Sequence, residues 1–126
     1  MNRFLSFADS RMSAALERLG RQAEALEFFD EITLFTEHDL SAEFTSRMGK
    51  YLTPSCRGFG YWSWKPWSIH HVLQDMQEGD RLLYLDAGCH ININGAERFR
   101  EYVDMLDRDS RGMLVFTNGQ PEYKWT

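Results

Sequence analysis

The chain has 126 residues, 43% hydrophobic and 26% charged, with a formal net charge of −5. That length suits one domain with a real core, that composition is not a disordered chain's, and net acidity argues against a surface built to hold nucleic-acid backbone. Two cysteines, Cys56 and Cys89, make no disulfide framework, and no run of about 18 apolar residues signals a transmembrane span. The N-terminus lacks the basic, apolar and small-residue succession of a signal peptide, so the expectation is a soluble, cytoplasmic protein.

In chain order, residues 3–8 (RFLSFA) read as a first strand that ends in polar Asp9-Ser10. Met12, Leu16, Leu19, Ala23 and Leu26 then recur at steps of four, three, four and three, the apolar stripe of an amphipathic helix. Residues 32–36 (ITLFT) carry β-branched and aromatic side chains and read as a second strand closing on Thr36. Ser41 is placed to cap a helix with Phe44, Met48 and Tyr51 on one face, ending near Thr53-Pro54. After the segment RGFGYWSWKPW, Pro66 fits the first turn of a helix whose buried face is Ile69, Leu73 and Met76, and Gly79 reads as its stop.

The run Leu82, Leu83, Tyr84 and Leu85 reads as a strand buried on both faces, broken at Asp86-Ala87-Gly88. Asn94 with Glu97 three residues on resembles a capping box, and Phe99, Tyr102, Val103 and Leu106 line the inner face of the helix it starts. Residues 113–117 (MLVFT) complete a fourth strand, before a turn at residues 118–121. Such alternation implies an α/β fold: a three-layer α/β/α sandwich on a mostly parallel sheet of about four strands, in one domain over residues 1–126. Asp9, Thr36, Asp86 and Thr117 then gather at the carboxyl ends of the strands, where open α/β sheets bind ligands. For Asp86 the rival reading is a plain Asp-Gly-type turn.

Several chemistries are poorly supported. Gly58-Phe59-Gly60 lacks the third glycine and the preceding strand of a dinucleotide fingerprint, and no phosphate-loop motif occurs. Cys56, Cys89, His38, His70, His71 and His90 show no zinc-ligand spacing; Cys89 is a nucleophile candidate, but a packed thiol explains it as well. His70 and His71 fall on the helix after Pro66, one partly packed and one wet. The aromatic segment is the least generic feature: Tyr61, Trp62, Trp64 and Trp67 can stack on a base or sugar face, with Lys65 or Arg57 to neutralise phosphate, or can plug the sheet.

The succession Arg57-Gly-Phe-Gly-Tyr-Trp-Ser-Trp-Lys65-Pro66, then Gly79-Asp80, then Tyr84-Leu85-Asp86-Ala87-Gly88-Cys89 resembles bacterial and viral nucleotide-sugar glycosyltransferases of the GT-A type that build polysaccharides. Residues 7–10 (FADS) and 122–126 (EYKWT) look like further pieces of that pattern. The resemblance implies a GT-A-like donor-binding domain that takes a UDP- or GDP-sugar and passes the sugar to a glycan or lipid-linked acceptor, with no nucleic acid involved. It implies donor contacts from Asp9, Ser10, Thr36, Arg57, Tyr61, Trp64, Lys65, Asp86, Ala87 and Gly88, with Lys65 on the diphosphate. It also implies Mn²⁺ or Mg²⁺ at Asp86, the first acid of the D-x-D motif, although Gly88 stands where the second acid belongs. No catalytic base is identified. Enzymes of this type continue past the equivalent of Trp125-Thr126 into an acceptor-binding half, so a donor-binding part truncated at its C-terminus is expected, or a non-catalytic remnant of the fold acting as a binding module. A flavodoxin-like nucleotide-binding domain is a third reading.

Overall fold

The first strand, β1 (Asn2–Phe7), forms the middle of the sheet; the computed structural model describes residues 1–116. β1 pairs in parallel with β2 (Glu31–Phe35) on one side and with β3 (Arg81–Tyr84) on the other, so the order is β2-β1-β3. Phe4 lies opposite Ile32 and Leu83, and Leu5 opposite Thr33 and Tyr84. Both faces of a central parallel strand are covered, which is why the sequence there is continuously apolar rather than alternating.

Successive β1 side chains enter two different cores. Phe4 packs with Leu19 and Ala23 of α1 (Ser13–Ala25), against Ile32, Leu34, Leu83 and Leu85. Phe7 packs on the other face with Leu40, Phe59 and Trp64, flanked by Phe35, Trp67 and Tyr84. That second face is covered by α2 (Ala42–Met48), a short turn α3 (Gly58–Tyr61) and α4 (Trp64–Leu73). Burying each such phenylalanine or leucine is worth about 1.5–3 kcal/mol. Gly20 lets α1 lie close on β2, because a Cβ there would stand 2.6 Å from Leu34 Cδ1.

Several local expectations hold: Ser41 Oγ accepts from Phe44 N–H (3.2 Å), and Pro66 lies in the first turn of α4. Others need correction. Met12 precedes α1 and is 46% exposed, because a 3-10 turn over Ser10–Met12, capped by Asp9, comes first. Gly79 does not stop α4, which ends at Leu73; it sits at φ +90° in the turn into β3, a conformation that favours glycine. Asn94 is not the cap of α5 (Ala96–Arg108): Gly95 holds that position without a side-chain cap bond, and Asn94 lies in a 3-10 turn over Ile93–Gly95.

The sheet and its helices belong to a compact unit over Met1–Ile93, and a second begins at Asn94. Within the second unit, the expected inner-face residues of α5 are half-buried rather than buried, and Tyr102 meets Phe116 edge-on at 5.0 Å. The expected fourth strand is not formed by Met113–Phe116: three strands pair among the described residues. A run of apolar residues is a strand only where a neighbouring edge accepts its hydrogen bonds, and these four are exposed. Thr117, residues 118–121 and residues 122–126 lie outside the described residues.

Candidate functional site

The crossover from β2 to β3 passes beneath β1, so β1 feeds a helix on one face and β3 is reached from the other. In a doubly wound sheet this reversal opens a crevice at the carboxyl ends of the two strands concerned, here β1 and β3. A cleft of about 240 Å³ lies there, walled by Ala8–Asp9 and Arg11–Met12 after β1, Gly58–Phe59, Trp62 and Trp64 from the aromatic segment, and Asp86–Gly88 after β3.

On the β1 side, Asp9 Oδ1 accepts from Arg11 N–H (3.0 Å) and Nε–H (2.9 Å), and Oδ2 accepts from Nη2 (2.9 Å). Arg11 Nη1 also donates to the Pro54 carbonyl at 2.9 Å. The guanidinium bonded to Asp9 holds its carboxyl below the usual range, against the opposing pull of burial. A carboxyl depressed in the fold stabilises it fully above the unfolded pKa and loses that contribution as pH falls through the folded value. Asp9→Asn is therefore expected to lower stability at neutral pH and to flatten the acid limb of unfolding below about pH 4, the usual aspartate range. Circular dichroism against pH reads this, and an unchanged acid limb would count against the pairing.

On the β3 side, Lys65 Nζ bridges both oxygens of Asp86, at 2.8 Å from Oδ1 and 3.0 Å from Oδ2. The Tyr84 hydroxyl donates to Oδ1 at 2.8 Å. Burial and then the Asp86 carboxylate push the Tyr84 phenol far up, so it remains a hydrogen-bond donor at any working pH. The following loop is tied down from α1: Arg18 Nη2 donates to the carbonyls of Ala87 (2.9 Å) and Cys89 (3.1 Å), and Nη1 contacts the His90 ring. Cys89 N–H closes the turn onto the Asp86 carbonyl at 2.8 Å. The thiol itself is free and exposed, contrary to the packed reading.

The aromatic wall has an unusual backbone. Gly58, Phe59, Gly60, Tyr61 and Trp62 all have positive φ, between 49° and 91°. Each non-glycine residue in that region costs roughly 1–2 kcal/mol, and such strain persists only where the surroundings impose it. Gly58 is required twice over: its φ is +61°, and a Cβ there would stand 2.4 Å from the Trp62 indole.

The structure thus brings together Asp9, Trp64, Asp86, Ala87 and Gly88 on one cleft, with Lys65 joined to it through Asp86. Trp64 is a buried wall: it stacks on Phe7 at 4.1 Å and donates Nε1–H to the Gly58 carbonyl at 3.1 Å. Four other residues expected at the site stand off it. Ser10 is bonded through N–H and Oγ to Glu37; burial pushes that carboxyl up, but the Ser10 bonds, a bond from its own backbone N–H and the nearby His38 together outweigh it and hold it below the usual range. Thr36 caps the turn over Glu37–Asp39, with Asp39 answering as a capping box. Arg57 lies 5.4 Å over the Trp62 ring, and Tyr61 is 63% exposed, edge-on to Tyr51. Both histidines of α4 are exposed, with the His71 ring stacked 5.1 Å from Trp67.

Sequence reasoning missed Arg11 and Met12, whose only signal was position just after a strand end. No helix among the described residues is long and apolar enough to cross a membrane. Comparison with protein-family models, curated proteins and solved structures finds no match for this chain.

Proposed function

We propose that the cleft between the ends of β1 and β3 is the donor site of a GT-A-like glycosyltransferase, binding a nucleotide-diphosphate sugar. The observation that carries the reading is a flexible cation, Lys65, held on an exposed acid, Asp86, at the mouth of a crevice located where doubly wound sheets bind nucleotides. Lys65 is 33% exposed and Asp86 53%, so the pair is readily opened. Diphosphate oxygens replace the Asp86 carboxylate on Lys65 Nζ, and Asp86, still held by Tyr84, accepts a hydroxyl of the donor sugar. In the transfer step the bond from the anomeric carbon to the diphosphate oxygen breaks as the acceptor hydroxyl oxygen bonds to that carbon, and the hydroxyl proton passes to the departing diphosphate. Charge accumulates on the departing diphosphate, where Lys65 stabilises it. A glycan or lipid-linked acceptor completes the reaction.

The residues present fit a divalent cation poorly. Both oxygens of Asp86 are bonded to Lys65, Gly88 contributes no second acid, and no group of three His, Cys, Asp or Glu side chains comes together among the described residues. A metal at Asp86 must first displace an ammonium, so no step is routed through one. Those features equally favour a second reading, a non-catalytic remnant that binds donor without transferring it.

Calorimetric titration with UDP-, GDP- and CMP-sugars, with and without Mn²⁺, tests both. At least one donor is expected to bind at submillimolar concentration without the metal. Failure of every donor at millimolar concentration, with or without Mn²⁺, would overturn the donor site. Donor hydrolysis that disappears in Asp86→Ala would exclude the remnant.

A further inference from the structure

We infer that the surface formed by Lys50, Tyr51, Arg57, Tyr61 and Trp62 docks reversibly on an anionic lipid bilayer. It stands on its own geometry, apart from the donor-site reading, and adjoins the cleft through Trp62. Three large aromatics are left in solvent here: Tyr61 is 63% exposed, Trp62 44% and Tyr51 37%. They are contiguous. Tyr51 meets Tyr61 edge-on at 6.1 Å, and Tyr61 and Trp62 are chain neighbours. Lys50 Nζ lies 4.7 Å over the Tyr51 ring, and the Arg57 guanidinium 5.4 Å over the Trp62 indole. Tyr61 and Trp62 are both left-handed, at φ 54° and 57°, so an unfavourable backbone carries two rings that lie outside the buried core.

Charge identifies the occupant. Residues 44–74 include Arg47, Lys50, Arg57 and Lys65 and neither Asp nor Glu, so the net charge of −5 arises elsewhere in the chain. Arg47 is paired with Glu43 and Lys65 with Asp86, whereas Lys50 and Arg57 make no ion pair among the described residues. An anionic headgroup layer attracts unpaired cations, and tyrosine and tryptophan favour the same depth, with the ring body in apolar surroundings and one edge wet. A glycan or a nucleic-acid strand would instead stack on ring faces. Those of Trp62 are closed by Gly58 and Arg57, and one face of Tyr51 is taken by Lys50. A bilayer takes rings and cations side by side. So few cations and rings make a weak attachment rather than an anchor. With this face beside the cleft, the acceptor of the proposed transfer is the lipid-linked one, a step that does rest on the donor-site reading.

The test is flotation of the full chain with vesicles of phosphatidylcholine alone, or of phosphatidylcholine mixed with phosphatidylglycerol. Retention is expected on the mixed vesicles only, and it should fall as salt rises. Lys50→Ala and Arg57→Ala should each weaken partitioning about fivefold. Tyr61→Ala should weaken it too, while its urea unfolding stays with the parent because the ring lies outside the core. No retention on mixed vesicles, equal retention on both kinds, or full retention by the Lys50→Ala/Arg57→Ala double variant overturns the surface. Retention lost with the cations but indifferent to Tyr61→Ala overturns it also, by leaving a general polyanion site. A parent chain that floats with mixed vesicles yet binds no nucleotide sugar leaves the surface standing and sinks the donor site alone.

Discussion

Trp64→Ala is expected to cost about 3–5 kcal/mol of stability, close to the whole margin of a small domain. Trp64 is 7% exposed and stacks at 4.1 Å and 17° on Phe7, the residue that anchors one face of β1 to the helices. Its removal opens a cavity beside a strand end and takes from the Gly58 carbonyl its indole donor at 3.1 Å, leaving only Trp62 N–H on that oxygen. Trp64→Phe keeps the ring stack and loses mainly that hydrogen bond, so it should cost about 1 kcal/mol and leave ligand binding intact. Urea unfolding of the two variants measures the difference. A stable Trp64→Ala protein that binds no donor would move this residue from the core to the ligand.

Lys65→Ala, one residue along, should behave in the opposite way. Its ion pair with Asp86 is open to solvent on both partners, and such pairs contribute only about 0–1 kcal/mol to folding. A charge-assisted bond to a diphosphate is worth more, about 1.5–3 kcal/mol, which is roughly ten- to a hundredfold in affinity. Lys65→Ala should therefore unfold with the parent and bind pyrophosphate and nucleoside diphosphates at least about tenfold more weakly. Parallel denaturation and calorimetry read the two effects separately. Undiminished pyrophosphate binding would remove Lys65 from the phosphate site.

Adjacent residues with opposite roles show what was and was not legible in the sequence. The apolar runs at residues 3–8, 32–36 and 82–85 became three parallel strands, because uninterrupted hydrophobic character has few other uses at that length. The helical stripe at Leu16, Leu19 and Ala23 became the buried face of α1, with Leu26 buried just past its end, for the same reason. At Met113–Phe116 the pattern failed, since strand formation depends on a partner edge that local sequence does not specify.

Within the site, Asp9 and Asp86 followed from strand ends alone, and their meeting across one cleft followed from parallel order. The aromatic segment was recognised as special, but which rings face the cleft depends on a left-handed turn over Gly58–Trp62 that propensity does not anticipate. Tyr61 and Arg57 fall outside the cleft lining, while Trp62 and Trp64 both belong to it. The order β2-β1-β3 is common to several doubly wound families, so the three strands alone do not choose between a GT-A-like and a flavodoxin-like sheet.

Backbone amide chemical shifts of the isotopically labelled chain, followed during titration with a nucleotide sugar, test the donor site most directly. Shifts are predicted to cluster at Ala8–Met12, Gly58–Trp64 and Asp86–Cys89, the three segments around the cleft, while amides at the amino ends of the strands stay still. Shifts centred elsewhere on the sheet, or none at millimolar donor, would contradict it.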